Sequence, residues 1–121
     1  MAAPAGRQLL ADARGFVSAG WCQYADARNR DGAEVDPWDD DAVAWSLLGA
    51  LVAVLEREAT SRGEIPFEEL AASLYALAGV IEVESLSEWN DTVVHTQSDV
   101  VGALAEAEAQ FRPLWISAAS R

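Results

Sequence analysis

The residues with the reactivity that catalysis requires are few and far apart. His95 is the only histidine, Cys22 is the only cysteine, and no motif brings either of them to the other or to a serine. Nucleophilic catalysis needs a base next to the nucleophile and a third group that orients the base. We therefore predict no catalytic residue. The GxxxxGK[ST] and GxGxxG patterns do not occur, so no cofactor is expected.

A run of aspartates offers oxygen ligands of the kind that Ca²⁺ and Mg²⁺ prefer. The spacing of Asp36, Asp39, Asp40 and Asp41 does not match the twelve-residue loop of an EF-hand, which also requires a glycine and a late glutamate. Negative charge directly before an apolar segment suits the unpaired N–H groups at the start of a helix. We predict helix capping by these residues and no metal site.

Tryptophan is frequent in this chain, with five among 121 residues. Tryptophan is one of the residues that most often anchor protein interfaces, because it combines a large apolar ring with a polar N–H group. We expect Trp45 in the core, and we expect Trp21 and Trp115 to close the ends of the fold. Trp38 and Trp89 each lie in an acidic connector and are predicted to be partly exposed.

These two connectors form the predicted interaction site. Each connector contributes one tryptophan and its polar neighbours, and the members are Trp38, Asp39, Asp40, Glu88, Trp89, Asn90 and Asp91. For the triplet at 89–91, the favoured interpretation is a structural turn before the last helix, because Asn and Asp tolerate turn conformations and cap backbone N–H groups. Contact with a ligand or partner is the alternative.

The charge of the chain excludes several classes of partner. Twenty acidic residues and eight arginines give a net charge of −12, and such a field repels nucleic-acid backbones and anionic lipids. We predict neither direct nucleic-acid binding nor membrane association. The single cysteine and the lack of an apolar run near Met1 favour the cytoplasm.

Apolar spacing, caps and breakers predict four helices, at about 5–19, 40–59, 66–81 and 96–111. Between the first two, residues 21–38 lack periodicity and contain the turn signal Arg30-Asp31-Gly32. The expected fold class is mainly α. We predict a compact four-helix single domain over residues 1–121, with one short irregular hairpin or loop between helices 1 and 2 and a tail from about residue 113 that docks through Trp115.

Three of these helices carry more specific predictions. Thr96 and Asp99 resemble a capping box at the start of the last helix. Small residues on helix two would allow the close approach of another helix or of a second copy of the chain: Ala42, Ser46, Gly49 and Ala53. Helical spacing predicts that one face of helix three is buried: Phe67, Leu70, Ala71, Leu74, Leu77, Ala78 and Ile81.

Three short motifs stand in order along the chain: W-x(5)-ARxxDG at 21–32, DAVAWxLLGAL at 41–51 and WND at 89–91. In these motifs the chain resembles a family of small uncharacterised proteins of bacteria, largely actinobacteria, and phages. The resemblance implies a mainly helical domain of unknown function and no particular reaction. That family often has cysteine at the position of Ser46, so any thiol role there would be absent here.

The leading functional hypothesis is a non-enzymatic acidic binding or adaptor protein that contacts a protein partner through the predicted site. One alternative is a nucleic-acid mimic of the phage type, which would inhibit a nuclease or DNA-binding protein, because residues 63–111 carry ten acids and no base. A second alternative is a small-ligand-binding protein or enzyme with a pocket near His95. A homodimer is also compatible with the sequence.

Overall fold

The computed structural model describes residues 5–81, 85–92 and 96–111. In chain order they form α1 (Ala5–Ala19), β1 (Ala27–Asn29), β2 (Ala42–Trp45), α2 (Leu47–Arg62), α3 (Phe67–Ala78), α4 (Leu86–Thr92) and α5 (Gln97–Gln110). The fold is mainly helical, as predicted, but the described part has five helices and a two-stranded sheet instead of four helices. None of these helices is long and apolar enough to cross a membrane. The predictions for His95, Trp115 and the tail lie outside the described residues.

Helix α1 packs against α2, α3 and α5. It spans the predicted residues, because apolar side chains recur on one of its faces at helical spacing. Leu9, Leu10, Ala13 and Val17 lie on that face, and none is more than 3% exposed. The core is therefore arranged around α1, and the sequence pattern of this helix is sufficient to predict its buried face.

Helix α5 begins with the predicted capping box. The backbone N–H of Asp99 donates to the hydroxyl of Thr96, and the N–H of Thr96 donates to the Asp99 carboxylate at 2.8 Å. The apolar residues on one face of α5, together with the residue that follows the helix, are buried in the core: Val100, Leu104, Ala107 and Phe111. An ion pair from Arg14 to Glu108 also joins α1 to α5.

The prediction that helix two begins near Asp40 is wrong, because residues 42–45 form strand β2. This strand pairs antiparallel with β1, with Ala27 opposite Trp45. The Trp45 side chain is 8% exposed, as expected for a core residue, and its ring meets that of Phe16 edge to face at 4.8 Å between centroids. A short apolar run fits a helix and a strand equally well, so the neighbouring β1 decides between them.

The predicted irregular hairpin is present in a smaller form. The N–H of Asn29 donates to the carbonyl of Ala33 at 2.9 Å, and the N–H of Val35 donates to the carbonyl of Ala27 at 3.1 Å. A single antiparallel bridge joins Arg28 to Glu34. The longer pairing of β1, however, is with β2.

Helix α2 begins at Leu47, and its cap is Ser46. The Ser46 hydroxyl accepts a hydrogen bond from the N–H of Gly49 at 3.0 Å. The prediction that aspartates cap this helix is therefore wrong; Asp39 instead accepts from the N–H of Asp41 within the turn before β2, at 2.8 Å. This arrangement was not predicted because Ser46 stands inside an apolar run and does not interrupt its helical spacing.

The small-residue stripe predicted on helix two does not exist as one helical face, because Ala42 lies on β2 and Ser46 is the cap. Gly49 does allow a close approach, but to a loop and not to a helix. A Cβ atom added at Gly49 would lie 1.8 Å from the carbonyl oxygen of Asp26. Gly49 and Ala53 are both buried, so neither is available to a second copy of the chain.

Helix α3 forms, but its predicted buried face is only partly correct: Leu77 and Ile81 are buried, and most of the other predicted members are exposed. Phe67 and Leu74 are 69% and 39% exposed, whereas Ser73 is fully buried. The Ser73 hydroxyl donates to the carbonyl of Gly6 on α1 at 3.0 Å. The small side chain of Ser73 lets α3 lie close to α1, while Phe67, Leu74 and Tyr75 lie at the surface.

Candidate binding groove

The predicted interaction residues lie in two different environments. Trp38, Asp39 and Asp40 are exposed on the turn before β2, and Glu88 is exposed on α4. Two residues of the triplet at 89–91 are more enclosed: Trp89 is 9% exposed and belongs to the core, and Asn90 is fully buried. Asp91 is half-buried. The partial exposure expected for Trp89 is therefore not observed. The described lining of the cavity at Trp38 includes none of residues 88–91.

A β-turn presents Trp38 at the surface. The N–H of Asp39 donates to the carbonyl of Asp36 at 2.9 Å, and Pro37 occupies the second position of the turn, where its fixed φ is favourable. The indole N–H of Trp45 donates to the carbonyl of Pro37 at 2.9 Å and ties the turn to β2. Trp38 follows at the third position and is 53% exposed.

A groove of about 670 Å³ opens beside Trp38, between this turn, α1 and α2. Its apolar lining is Phe16, Pro37, Trp38, Ala42, Trp45 and Ala53, and its polar lining is Asp39, Asp40, Glu56, Arg57, Thr60 and Ser61. The packed rings of Phe16 and Trp45 give the floor a defined shape. The volume lies within the roughly 300–1,000 Å³ typical of protein sites that enclose a small ligand.

The charges around the groove are unbalanced. Arg57 is the only cation among its described lining residues, and it donates to Asp12, which lies outside this lining, at 2.6 Å. Within the described part of the chain, no ion pair involves the carboxylates that line the groove: Asp39, Asp40 and Glu56. The positive charge of Arg57 is thus balanced by Asp12, and the groove carries a net negative potential.

Asn90 forms the centre of a separate, buried hydrogen-bond network. Its side-chain oxygen accepts from the indole N–H of Trp21 at 2.8 Å and from the backbone N–H of Leu47 at 3.0 Å. Its side-chain NH₂ donates to the carbonyl of Cys22 at 3.1 Å. One amide thus joins α4 to the loop after α1 and to the first turn of α2, which explains structurally why Asn90 stands in this motif.

Asp91 extends this network to the surface. Its carboxylate accepts from the N–H of Tyr24 at 3.0 Å and from the side-chain NH₂ of Asn90 at 2.8 Å. Tyr24 has φ of 64°, a left-handed conformation that costs a residue with a side chain about 1 kcal/mol or more. The hydrogen bond that the N–H of Tyr24 donates to Asp91 holds the loop in this strained conformation.

Of the two reactive residues singled out in the sequence, Cys22 lies within the described part of the chain and His95 lies outside it. Cys22 is buried, with its thiol 3.6 Å from the carbonyl of Ala25. Burial raises the pKa of the Cys22 thiol to about 11, so the thiol stays protonated at neutral pH and is a poor nucleophile. Within the described residues, no group of three or more His, Cys, Asp or Glu side chains could hold a metal ion.

The raised pKa of Cys22 predicts slow modification of the folded protein. A thiol pKa near 11 in place of 9.0 lowers the thiolate fraction at pH 8 about 100-fold, since each pKa unit is a factor of ten. We expect iodoacetamide labelling at pH 8 to be slower than that of the urea-unfolded chain by at least this factor, and to accelerate as the pH rises toward 11. Equal rates in the folded and unfolded chains would contradict the assignment.

Nine of the described lining residues of the groove were not predicted as site residues: Phe16, Pro37, Ala42, Trp45, Ala53, Glu56, Arg57, Thr60 and Ser61. The spacing of Phe16 on α1 indicates only that it lies on the core side of the helix. Glu56 and Arg57 mark the point where α2 changes from apolar to charged, which was the one available signal that this end of the helix reaches the surface. Their convergence with Trp38 depends on tertiary contacts that have no sequence pattern.

Comparisons with known proteins give a family and no activity. Neither the curated proteins nor the solved structures include a match to this chain. A family model described as "Family of unknown function (DUF6197)" matches residues 1–110. This match covers both the groove and the Asn90 network. The chain therefore belongs to the DUF6197 family, whose function is unknown.

Proposed function

We propose that this protein is a non-enzymatic binding protein of the cytoplasm that docks a segment of another protein in the groove beside Trp38. The observation that supports this proposal most directly is the Trp38 ring, 53% exposed at the edge of an apolar groove. Leaving a large aromatic ring in water forgoes the burial energy that a partner would supply. Tryptophan at such a position is a frequent anchor of protein interfaces.

The turn that carries Trp38 is fixed before a partner arrives. Its backbone is closed by the hydrogen bond between Asp36 and Asp39, and it is joined to β2 through Trp45 and Pro37. A preformed surface loses less conformational entropy on binding than a flexible loop. The groove beside Trp38 can therefore accept one or a few side chains from a partner without being rebuilt.

Binding fits the groove better than catalysis. Its described lining offers carboxylates, one guanidinium and two hydroxyl groups, those of Thr60 and Ser61. No hydrogen bond within the described residues links either hydroxyl to a base that could activate it. A hydroxyl nucleophile requires such a base, whereas an interface requires an apolar centre with a polar rim, and the groove has both.

Trp38→Ala tests this proposal. In a pull-down from a lysate of the organism that encodes the chain, followed by quantitative mass spectrometry, we expect the variant to lose the specific partner at least tenfold. Truncation of a tryptophan anchor commonly costs 2 kcal/mol or more, or about thirtyfold in affinity. The exposed position of Trp38 should leave the thermal unfolding of the protein nearly unchanged, which separates lost binding from lost folding.

Tyr75→Ala is the matched control, because it removes an aromatic side chain from α3 that is even more exposed than Trp38, at 71%. We expect this variant to retain the partner. If Trp38→Ala recovers the same proteins as the wild type, the groove is not the docking surface. If only Tyr75→Ala loses them, the exposed face of α3 is the interface instead.

A further inference from the structure

We propose that the side chain received by the groove is an arginine or lysine of the partner polypeptide. This inference rests on the proposed function and specifies the chemistry of the docked residue. Three features of the groove carry it: an excess of carboxylates, exposed aromatic surface, and a guanidinium that already packs on one of the aromatic rings.

The described lining of the groove carries an excess of negative charge. Three carboxylates line the groove and no ion pair within the described residues involves them, while the single lining cation is paired with Asp12. In a groove with largely apolar walls, charges of one sign act on a bound group more strongly than they do in open solvent. A cation entering this groove is attracted, and a carboxylate or phosphate is repelled. The docked residue is therefore basic.

The groove also offers apolar surface to a bound side chain. Arginine and lysine each carry a long aliphatic stem that can cover apolar walls while the charged head stays near carboxylates. The Trp38 ring is exposed at the edge of the groove, and the face of a tryptophan is the strongest aromatic partner for such a cation. The apolar lining together with the acidic rim fits a basic side chain better than a small inorganic cation.

The groove already contains a contact between a guanidinium and an aromatic ring. The guanidinium carbon of Arg57 lies 5.9 Å from the centre of the Phe16 ring, which is within the range of a cation–π contact. This part of the protein thus already holds a guanidinium against an aromatic ring with a carboxylate, Asp12, beside it. We infer that Trp38 with Glu56 offers the same combination to a partner, while Asp39 and Asp40 add to the negative potential of the groove.

NMR titration of the full ¹⁵N-labelled protein tests the inference with two probes of similar size. n-Butylguanidinium chloride represents the basic side chain, and 1-pentanol represents a neutral apolar one. We expect n-butylguanidinium to shift the indole N–H signal of Trp38 and the amide signals of Ala42 and Ala53, and to bind more tightly than 1-pentanol. Glu56→Gln should raise the dissociation constant of the cation about threefold, while Glu68→Gln, which changes an exposed acid on α3, should leave it unchanged.

The outcomes separate this inference from the proposed function. If 1-pentanol binds the groove as tightly as the cation, or if Glu56→Gln has no effect on the cation, the docked residue is apolar and the inference fails, although the docking role of the groove stands. The proposed function fails separately, when Trp38→Ala retains the same partners in the pull-down. Shifts of the Trp38 signal by the cation that weaken with added sodium chloride support the inference.

Discussion

Replacing Asn90 by leucine should lower the free energy of unfolding by about 3–5 kcal/mol. Leucine has the same branched arrangement of side-chain heavy atoms, although its methyl groups are bulkier, and it removes the acceptor for the N–H groups of Trp21 and Leu47 and the donor to the carbonyl of Cys22. Each of these groups that is left buried and unpaired costs roughly 1–3 kcal/mol. Urea-induced unfolding followed by circular dichroism measures the change, and the midpoint should fall clearly below that of the wild type.

Asn29→Leu is the matched control for Asn90→Leu, since these are the two asparagines of the chain. The Asn29 side chain accepts from the N–H groups of Asp31 and Ala33 in the exposed hairpin turn, where water can replace it. We expect a loss of about 1 kcal/mol or less there. Similar losses at the two positions would mean that the Asn90 network does not hold the fold together.

The loss caused by Asn90→Leu should extend to the Trp38 groove. The carbonyl of Trp45 accepts from the N–H of Cys22 at 3.3 Å, and the Trp45 indole fixes the carbonyl of Pro37. The Asn90 network and the Trp38 turn are thus joined through one strand residue. This connection gives the triplet at 89–91 a role in shaping the site without contact with the partner.

Gly49→Ala is expected to have the second largest effect, a loss of about 2–4 kcal/mol. An alanine in the interior of a helix is normally more favourable than glycine by about 1 kcal/mol. At Gly49, however, a Cβ would lie 1.8 Å from the Asp26 carbonyl oxygen and 2.6 Å from its carbon, so the loop backbone must move. That carbonyl also accepts from the N–H of Ser46 at 3.1 Å, and this hydrogen bond at the start of α2 would be broken.

Gly15→Ala and Gly102→Ala are the controls for Gly49→Ala. Both glycines lie inside helices, and an added Cβ would meet nothing within 4 Å. We expect each change to raise the free energy of unfolding by about 0.5–1 kcal/mol, because the gain in helix propensity is unopposed. Thermal unfolding of the three variants should therefore give one decrease and two increases. A stabilising Gly49→Ala would contradict the close packing of the Asp26 loop on α2.

Local sequence determined the elements whose signals are contained within a few turns of chain. The apolar spacing of α1 gave its bounds, and Thr96 with Asp99 gave the start of α5, because a capping box is formed by residues only three positions apart. The small residues around Gly49 also predicted a close approach to this segment, although the neighbour is a loop and not a helix. Trp38 was also predicted as a site residue from local sequence, because it is an aromatic residue in an acidic connector.

Only the tertiary structure decided which face each ambiguous segment buries. Ala42–Trp45 fits a helix as well as a strand, and the distant β1 supplies the hydrogen bonds that make it a strand. α3 places several of its large apolar residues at the surface and packs Ser73 against Gly6. The Trp89 ring is in the core, and Asn90 serves the loop at 21–24, because α4 packs against α2. These outcomes depend on contacts between residues far apart in the chain, whose energies have no signature in local periodicity.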